Sequence, residues 1–140
     1  MVTPFESPNA SESRTASGSR NAVRYDVGDH EDRPWGNWRV VDVAPSFITK
    51  RVEVKPGHRL SLQIHKYRSE HWVIVAGRGE ATVGEEKTVV GPGDYVVIPC
   101  GAKHRIQSIG TGLLVFVEVQ FGDILDESDI TRLEDDYSRD

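Results

Sequence analysis

The stretch "KPGHRLSLQIHKYRSEHWVIVAG", residues 55–77, decides how the rest of the chain is read. Its first half contains "RLSLQIH", where apolar and polar residues alternate as on a strand with two unlike faces; its second, "EHWVIVAG", is a Val/Ile-rich run closed by glycine. Alternation places Leu60, Leu62 and Ile64 on one face, expected against a core, and Ser61, Gln63 and His65 on the other. A sheet face in contact with water usually carries Lys, Glu and Thr. Gln63 and His65 instead bring a neutral oxygen and an imidazole nitrogen to one point, as a pair of metal ligands does. After the break "KYRS", long enough for a bend, Glu70 can aim a carboxylate at the same point.

The same texture extends outward. "FITKRVEV" precedes the stretch, and "GEATVG", "KTVV", "DYVVIPC", "HRIQSI" and "LLVFVEVQF" follow it, punctuated at "KPG", "AGRG", "GPG", "PCG" and "GTG". Nothing between Phe47 and Phe121 sustains a helical period, so the chain is expected to be an all-β sandwich or barrel. "GDYVVIPCGAKHRIQS" offers a further ligand, His104, just past a Pro-x-Gly turn. The acidic end "DESDITRLEDDYSRD" spaces Ile130, Leu133 and Tyr137 at roughly helical intervals and predicts a short C-terminal helix or tail. Residues 1–24, rich in Ser, Asn, Pro and Thr, bury too little to offset the entropy of ordering; a disordered tail is expected there, and one domain over 25–140.

Composition narrows the function. With 140 residues the chain holds one core, and its net charge of -5 excludes a protein built chiefly to neutralise nucleic-acid phosphates. The single cysteine, Cys100, permits no internal disulfide and no thiolate zinc knuckle, as suits a reducing compartment. No run is long enough for a membrane span and no secretory signal opens the chain, so the cytoplasm is the expected location.

Two motifs then line up. Gly57, Gln63-x-His65, Glu70 and Gly77 resemble the first cupin motif, with Gln at the first ligand position; Gly93, Pro99-x-Gly101 and His104 resemble the second. "RPWG" at 33–36, "LSLQ-x-H", "R-x-EHW" and "EVQ-x-G" narrow the likeness further. From about Asp32 to Arg139 the chain resembles the cupin of the type II mannose-6-phosphate isomerases, usually fused after a mannose-1-phosphate guanylyltransferase domain. Lys66 and Tyr67 depart from a frequent His, Ile124 from Tyr, Ser128 from Asp and Ser138 from Gly. No nucleotidyltransferase domain fits in 140 residues, so no guanylyltransferase activity is expected of this polypeptide.

The resemblance implies a small single-domain cupin, a double-stranded β-helix or jelly-roll barrel, that interconverts mannose 6-phosphate and fructose 6-phosphate through an enediol. It implies one divalent metal on Gln63, His65, Glu70 and His104 and suggests zinc; the ligand types suit Co, Mn, Fe or Ni equally. Arg68 is expected to be catalytic and to bind phosphate, with Lys50, Arg59 and Arg105 as further cations near the mouth. Glu118 and Gln120 share a face of "FVEVQ". Glu118 is the first candidate for the base, with His71 and a metal-bound water behind it, and Gln120 is expected at the substrate. A phosphorylated sugar is the expected partner, with no nucleic acid and no membrane. The resemblance also makes a homodimer the expectation, and an apolar strand such as "FITKRVEV" at an open edge would need covering. Two other readings compete: a non-catalytic sugar-phosphate sensor or accessory subunit of a separate enzyme, and another metal enzyme such as a dioxygenase on the same barrel.

Overall fold

A computed structural model describes residues 22–137. The strands are β1 (Ala22–Val23), β2 (His30–Arg33), β3 (Gly36–Val43), β4 (Phe47–Val54), β5 (Leu62–Ile64), β6 (Arg68–Ala76), β7 (Gly79–Val83), β8 (Glu86–Val90), β9 (Tyr95–Ile98), β10 (His104–Ser108), β11 (Leu114–Gly122), β12 (Ile124–Leu125) and β13 (Thr131–Glu134). They form a six-stranded sheet in the order β2-β3-β4-β11-β6-β9 and a five-stranded sheet β13-β5-β10-β7-β8, each antiparallel throughout, while β1 pairs in parallel with β12. Sequence neighbours repeatedly lie on opposite sheets, which is the crossing pattern of the expected jelly roll. The described residues contain no helix.

Strand period sets what faces inward. On β11 the buried residues are Leu114, Phe116, Glu118 and Gln120; on β6 they are Arg68, Glu70, Trp72 and Ile74. Register turns these into rungs: Val52–Phe116–Ile74, then Lys50–Glu118–Trp72, then Ile48–Gln120–Glu70. The first is apolar and belongs to the main core with Trp35, Val54, Ala81, Ile98, Ile106 and Leu114. Full burial of each such side chain contributes about 2 kcal/mol, offsetting the desolvation of the polar rungs beside it. Beyond those rungs a second cluster of Tyr25, Val40, Ile48 and Leu125 closes the other end.

Three expectations change. Ser61 and His65 are buried, whereas Leu62 and Ile64 are only half-buried, so the polar side of "RLSLQIH" is the barrel interior. The residues 131–134 form β13 against β5, where a helix was expected. A register shift between Arg132 and Glu134 throws Leu133 out of strand alternation, which is why its spacing from Ile130 imitates a helix. "FITKRVEV" is interior, between β3 and β11, and needs no partner to cover it. The expected tail lies outside the described residues up to Asn21, and Ala22–Val23 pair with Ile124–Leu125.

Candidate metal centre and active site

Three ligand groups converge where the two sheets face each other. The available ligand atoms of His65, Glu70 and His104 all lie within 4.8 Å of one another, and all three residues are buried. Backbone carbonyls fix both rings: His65 Nδ1 donates to Asp129 O at 2.6 Å, and His104 Nδ1 donates to Ala102 O at 3.0 Å. The protons being on Nδ1, each Nε2 presents a lone pair. These face the Glu70 carboxylate, with His65 Nε2 3.3 Å from Oε2 and His104 Nε2 3.8 Å from Oε1. Burial, followed by the neighbouring Arg68 charge, pushes the His65 pKa down to about 4, so its ring is neutral. Acceptors facing one another in a dry site are stable only around a cation, and two imidazoles with a carboxylate suit a divalent transition metal.

In this structure the cation among them is Arg68. Its Nε and Nη2 donate to Glu70 Oε2 at 2.9 and 2.8 Å, and Nη2 also lies 3.1 Å from His65 Nε2. Burial works against both charges. The Glu70 and Glu118 carboxylates nevertheless hold Arg68 above its ordinary pKa, and Arg68 holds Glu70 well below the usual carboxylate range.

Glu118 is the opposite case. Trp72 Nε1 donates to both Glu70 Oε1 (3.0 Å) and Glu118 Oε1 (3.2 Å), so the two carboxyls flank one indole. Burial, and then the Glu70 charge, push the Glu118 pKa up to about 8. Gln120 Nε2 donates to Glu118 Oε2 at 2.6 Å while its own Oε1 is buried without a hydrogen bond. Gln120 has no exposed surface. Its amide holds the Glu118 carboxyl, and it is not among the residues lining the cavity, where the sequence predicted a substrate contact.

Gln63, His65, Arg68, Lys50 and Glu118 line one cavity, together with Arg33, Trp35, Trp38 and Glu127. Gln63 pairs with His104 across β5 and β10; its amide nitrogen donates to Ser61 Oγ at 2.9 Å, which leaves the carbonyl oxygen as the atom it could offer a cation. Lys50 Nζ donates to Glu127 Oε2 at 2.9 Å and sits 3.9 Å from the Trp38 ring centroid; Tyr25 OH also donates to Glu127. Burial, then the Glu127 charge, raise the Tyr25 pKa and keep it a donor.

Three expected residues are elsewhere. His71 alternates outward on β6 and is exposed, its ring edge-on to Phe121. Arg105 follows His104 on β10 and therefore faces the other side of the sheet, donating to Glu134 at 2.8 Å and to Leu60 O at 3.1 Å. Arg59 pairs with Asp136 at 2.6 Å and lines a separate hollow with Arg105 and Glu134. Sequence reasoning also missed Asp129, whose carboxylate accepts from Lys66 N and Tyr67 N and whose carbonyl orients His65. Its acidic surroundings, "DESD", read as part of the C-terminal helix or tail. The turn before a strand was the available signal.

Comparison with known proteins agrees with this geometry. Residues 20–135 match the family described as mannose-6-phosphate isomerase C-terminal. The chain is 45% identical over 107 residues to the xanthan biosynthesis protein XanB of Xanthomonas campestris pv. campestris, covering 76% of this chain and 23% of the relative. It is 41% identical over 107 residues to the mannose-1-phosphate guanylyltransferase ManC of Salmonella typhimurium, covering 76% and 22%. The chain thus spans less than a quarter of the length of these relatives. Among solved structures, the Schizosaccharomyces pombe Cnp3 cupin domain superposes with a TM-score of 0.60 at 20% identity, over 66% of this chain and 74% of that one, a likeness of fold. Barrel, converging ligands and matched sequence lead to one statement: the chain belongs to the mannose-6-phosphate isomerase C-terminal family, on a cupin fold.

Proposed function

We propose that this protein is a metal-dependent aldose–ketose isomerase interconverting mannose 6-phosphate and fructose 6-phosphate. The observation that carries this reading is the pair Glu70 and Glu118, bonded to the same Trp72 N–H yet driven to opposite protonation. Environments that separate two carboxyls in this way divide the labour between a fixed charge and a proton carrier. Glu70 is the permanent anion of a cation site with His65, His104 and Gln63. A divalent ion bound there supplies Lewis-acid polarisation of the oxygens on C1 and C2 of the sugar.

The chain's own residues account for the rest. Glu118, with a pKa of about 8, sits near the operating pH, where a carboxyl both accepts and returns a proton efficiently. Its ionised form takes the proton from C2 of the aldose; the C2–H electron pair forms the C1=C2 bond and the C1=O pair moves onto O1, giving an enediolate. The same carboxyl returns that proton to C1, and the O2 proton passes to O1 as C2=O forms. Atoms balance and no redox partner is needed. Gln120 and Trp72 hold the Glu118 carboxyl in place by donating to its two oxygens. Arg68, anchored on Glu70, brings positive charge to the oxygen that turns negative in the enediolate.

The test is a coupled assay of mannose 6-phosphate conversion by chelator-stripped protein given Zn, Co, Mn or Fe, beside His104→Ala and Glu118→Gln. Metal-restored turnover in the parent, lost in both variants, supports the isomerase. Tight sugar-phosphate binding without turnover under every metal would replace it with a sensor or accessory subunit.

A further inference from the structure

A hexose 6-phosphate that reacts at C1 and C2 carries its phosphate at the far end of its carbon chain. Arg68 touches Glu70 and His65 and so belongs to the reacting end; it is not placed to hold that phosphate as well. Of the other cations lining the cavity, Lys50 is engaged by Glu127 and Tyr25, and Arg132 is exposed, where water weakens it. Arg33 differs. Its side chain is 20% exposed, and the nearest carboxylate oxygen, of Glu31, is 4.0 Å from its Nε, beyond hydrogen-bond range. That Nε is buried without a partner.

A second orphan donor lies two residues on. Trp35 Nε1 is also buried without a hydrogen bond, Trp35 is 5% exposed, and it lines the same cavity. Guanidinium and indole N–H groups only donate, and buried donors without acceptors are costly. The backbone holds both in place: Arg33 pairs with Gly36, Trp35 O accepts from Lys55 N at 2.8 Å, and Gly36 at φ +148° packs against Glu53, where a Cβ would come within 1.9 Å of Glu53 O. Both residues line one cavity, and two donors left unsatisfied beside it call for a ligand rich in acceptors.

We propose that the Arg33–Trp35 segment is the phosphate end of the substrate cavity, with the Arg33 guanidinium and the Trp35 indole N–H donating to the oxygens of a sugar phosphate monoester. The assignment rests on the isomerase reading for its substrate, and its own evidence lies in the two orphan donors.

Calorimetric titration of metal-loaded protein with mannose 6-phosphate, mannose and inorganic phosphate tests it, with Arg33→Gln and Trp35→Phe; the latter removes one N–H and keeps an aromatic ring. Loss of a charged hydrogen bond in Arg33→Gln is expected to weaken mannose 6-phosphate binding roughly 10- to 100-fold. A smaller loss is expected in Trp35→Phe. Metal affinity and any binding of mannose should stay as in the parent. Turnover in the parent with KM and affinity unchanged in both variants would overturn the assignment and leave the isomerase standing. Affinity that falls in the variants of a protein with no turnover would overturn the isomerase and leave the phosphate site standing.

Discussion

Arg68 Nη2 lies 2.8 Å from Glu70 Oε2, inside the group of atoms that would surround a metal ion. The two cations therefore compete for one carboxylate. Arg68→Met is expected to lower the melting temperature of the metal-free protein, since Glu70 is left buried and unpaired, a change worth about 3 kcal/mol. It should bind zinc at least roughly tenfold more tightly, because a neighbouring positive charge is gone. Thermal unfolding with and without zinc reads both effects, and a smaller zinc-induced rise than in the parent would contradict the competition.

Glu118 makes stability depend on pH in a direction unusual for a carboxylate. Its folded pKa of about 8 exceeds the ordinary 4.5, so the folded chain holds a proton the unfolded chain has released. Stability then falls as pH rises from about 4.5 to about 8 and levels off above. Glu70, shifted downward, adds stability that is fully present across that window and is lost only in acid. Glu118→Gln should abolish turnover while making the metal-free protein more stable above pH 8, by on the order of 2 kcal/mol. Urea unfolding on either side of that pH, in parent and variant, measures it; identical slopes would place the titration elsewhere.

Asp129 offers a test of ring orientation without touching a ligand. Asp129→Ala removes the acceptor for Lys66 N and Tyr67 N, freeing the loop on which His65 sits. Metal affinity is expected to drop about 10-fold or more, as for other residues that orient ligands. A cobalt titration followed by visible absorption reads this directly.

His71→Ala should leave turnover and metal binding unchanged, because the side chain is on the outer surface. A large loss of kcat would show that outward position to be wrong.

How far the sequence carried can be judged residue by residue. His65, Glu70 and His104 were legible because motif spacing and strand period both constrain them, and Glu118 was legible because an inward carboxylate on a β-strand needs a reason. Arg105 was misplaced for an equally plain cause: it is one residue from His104, and on a strand one residue is the other face. Leu62 misled because the barrel interior is polar at that end, which inverts the usual reading of alternation. "RPWG" marked Arg33 and Trp35 only as part of a family likeness, and nothing in it singled out their donors. An unsatisfied donor is a property of what surrounds it, and no residue type announces it.

Glu70, Trp72, Glu118 and Gln120 stand on β6 and β11, interior strands of the six-stranded sheet, between the two apolar clusters. Backbone amides at these positions should be among the last to exchange with heavy water, while those near Glu31 and Glu127, exposed residues that line the cavity, exchange early. The reacting groups are then assembled by folding itself, and substrate arrival has only the entrance left to rearrange.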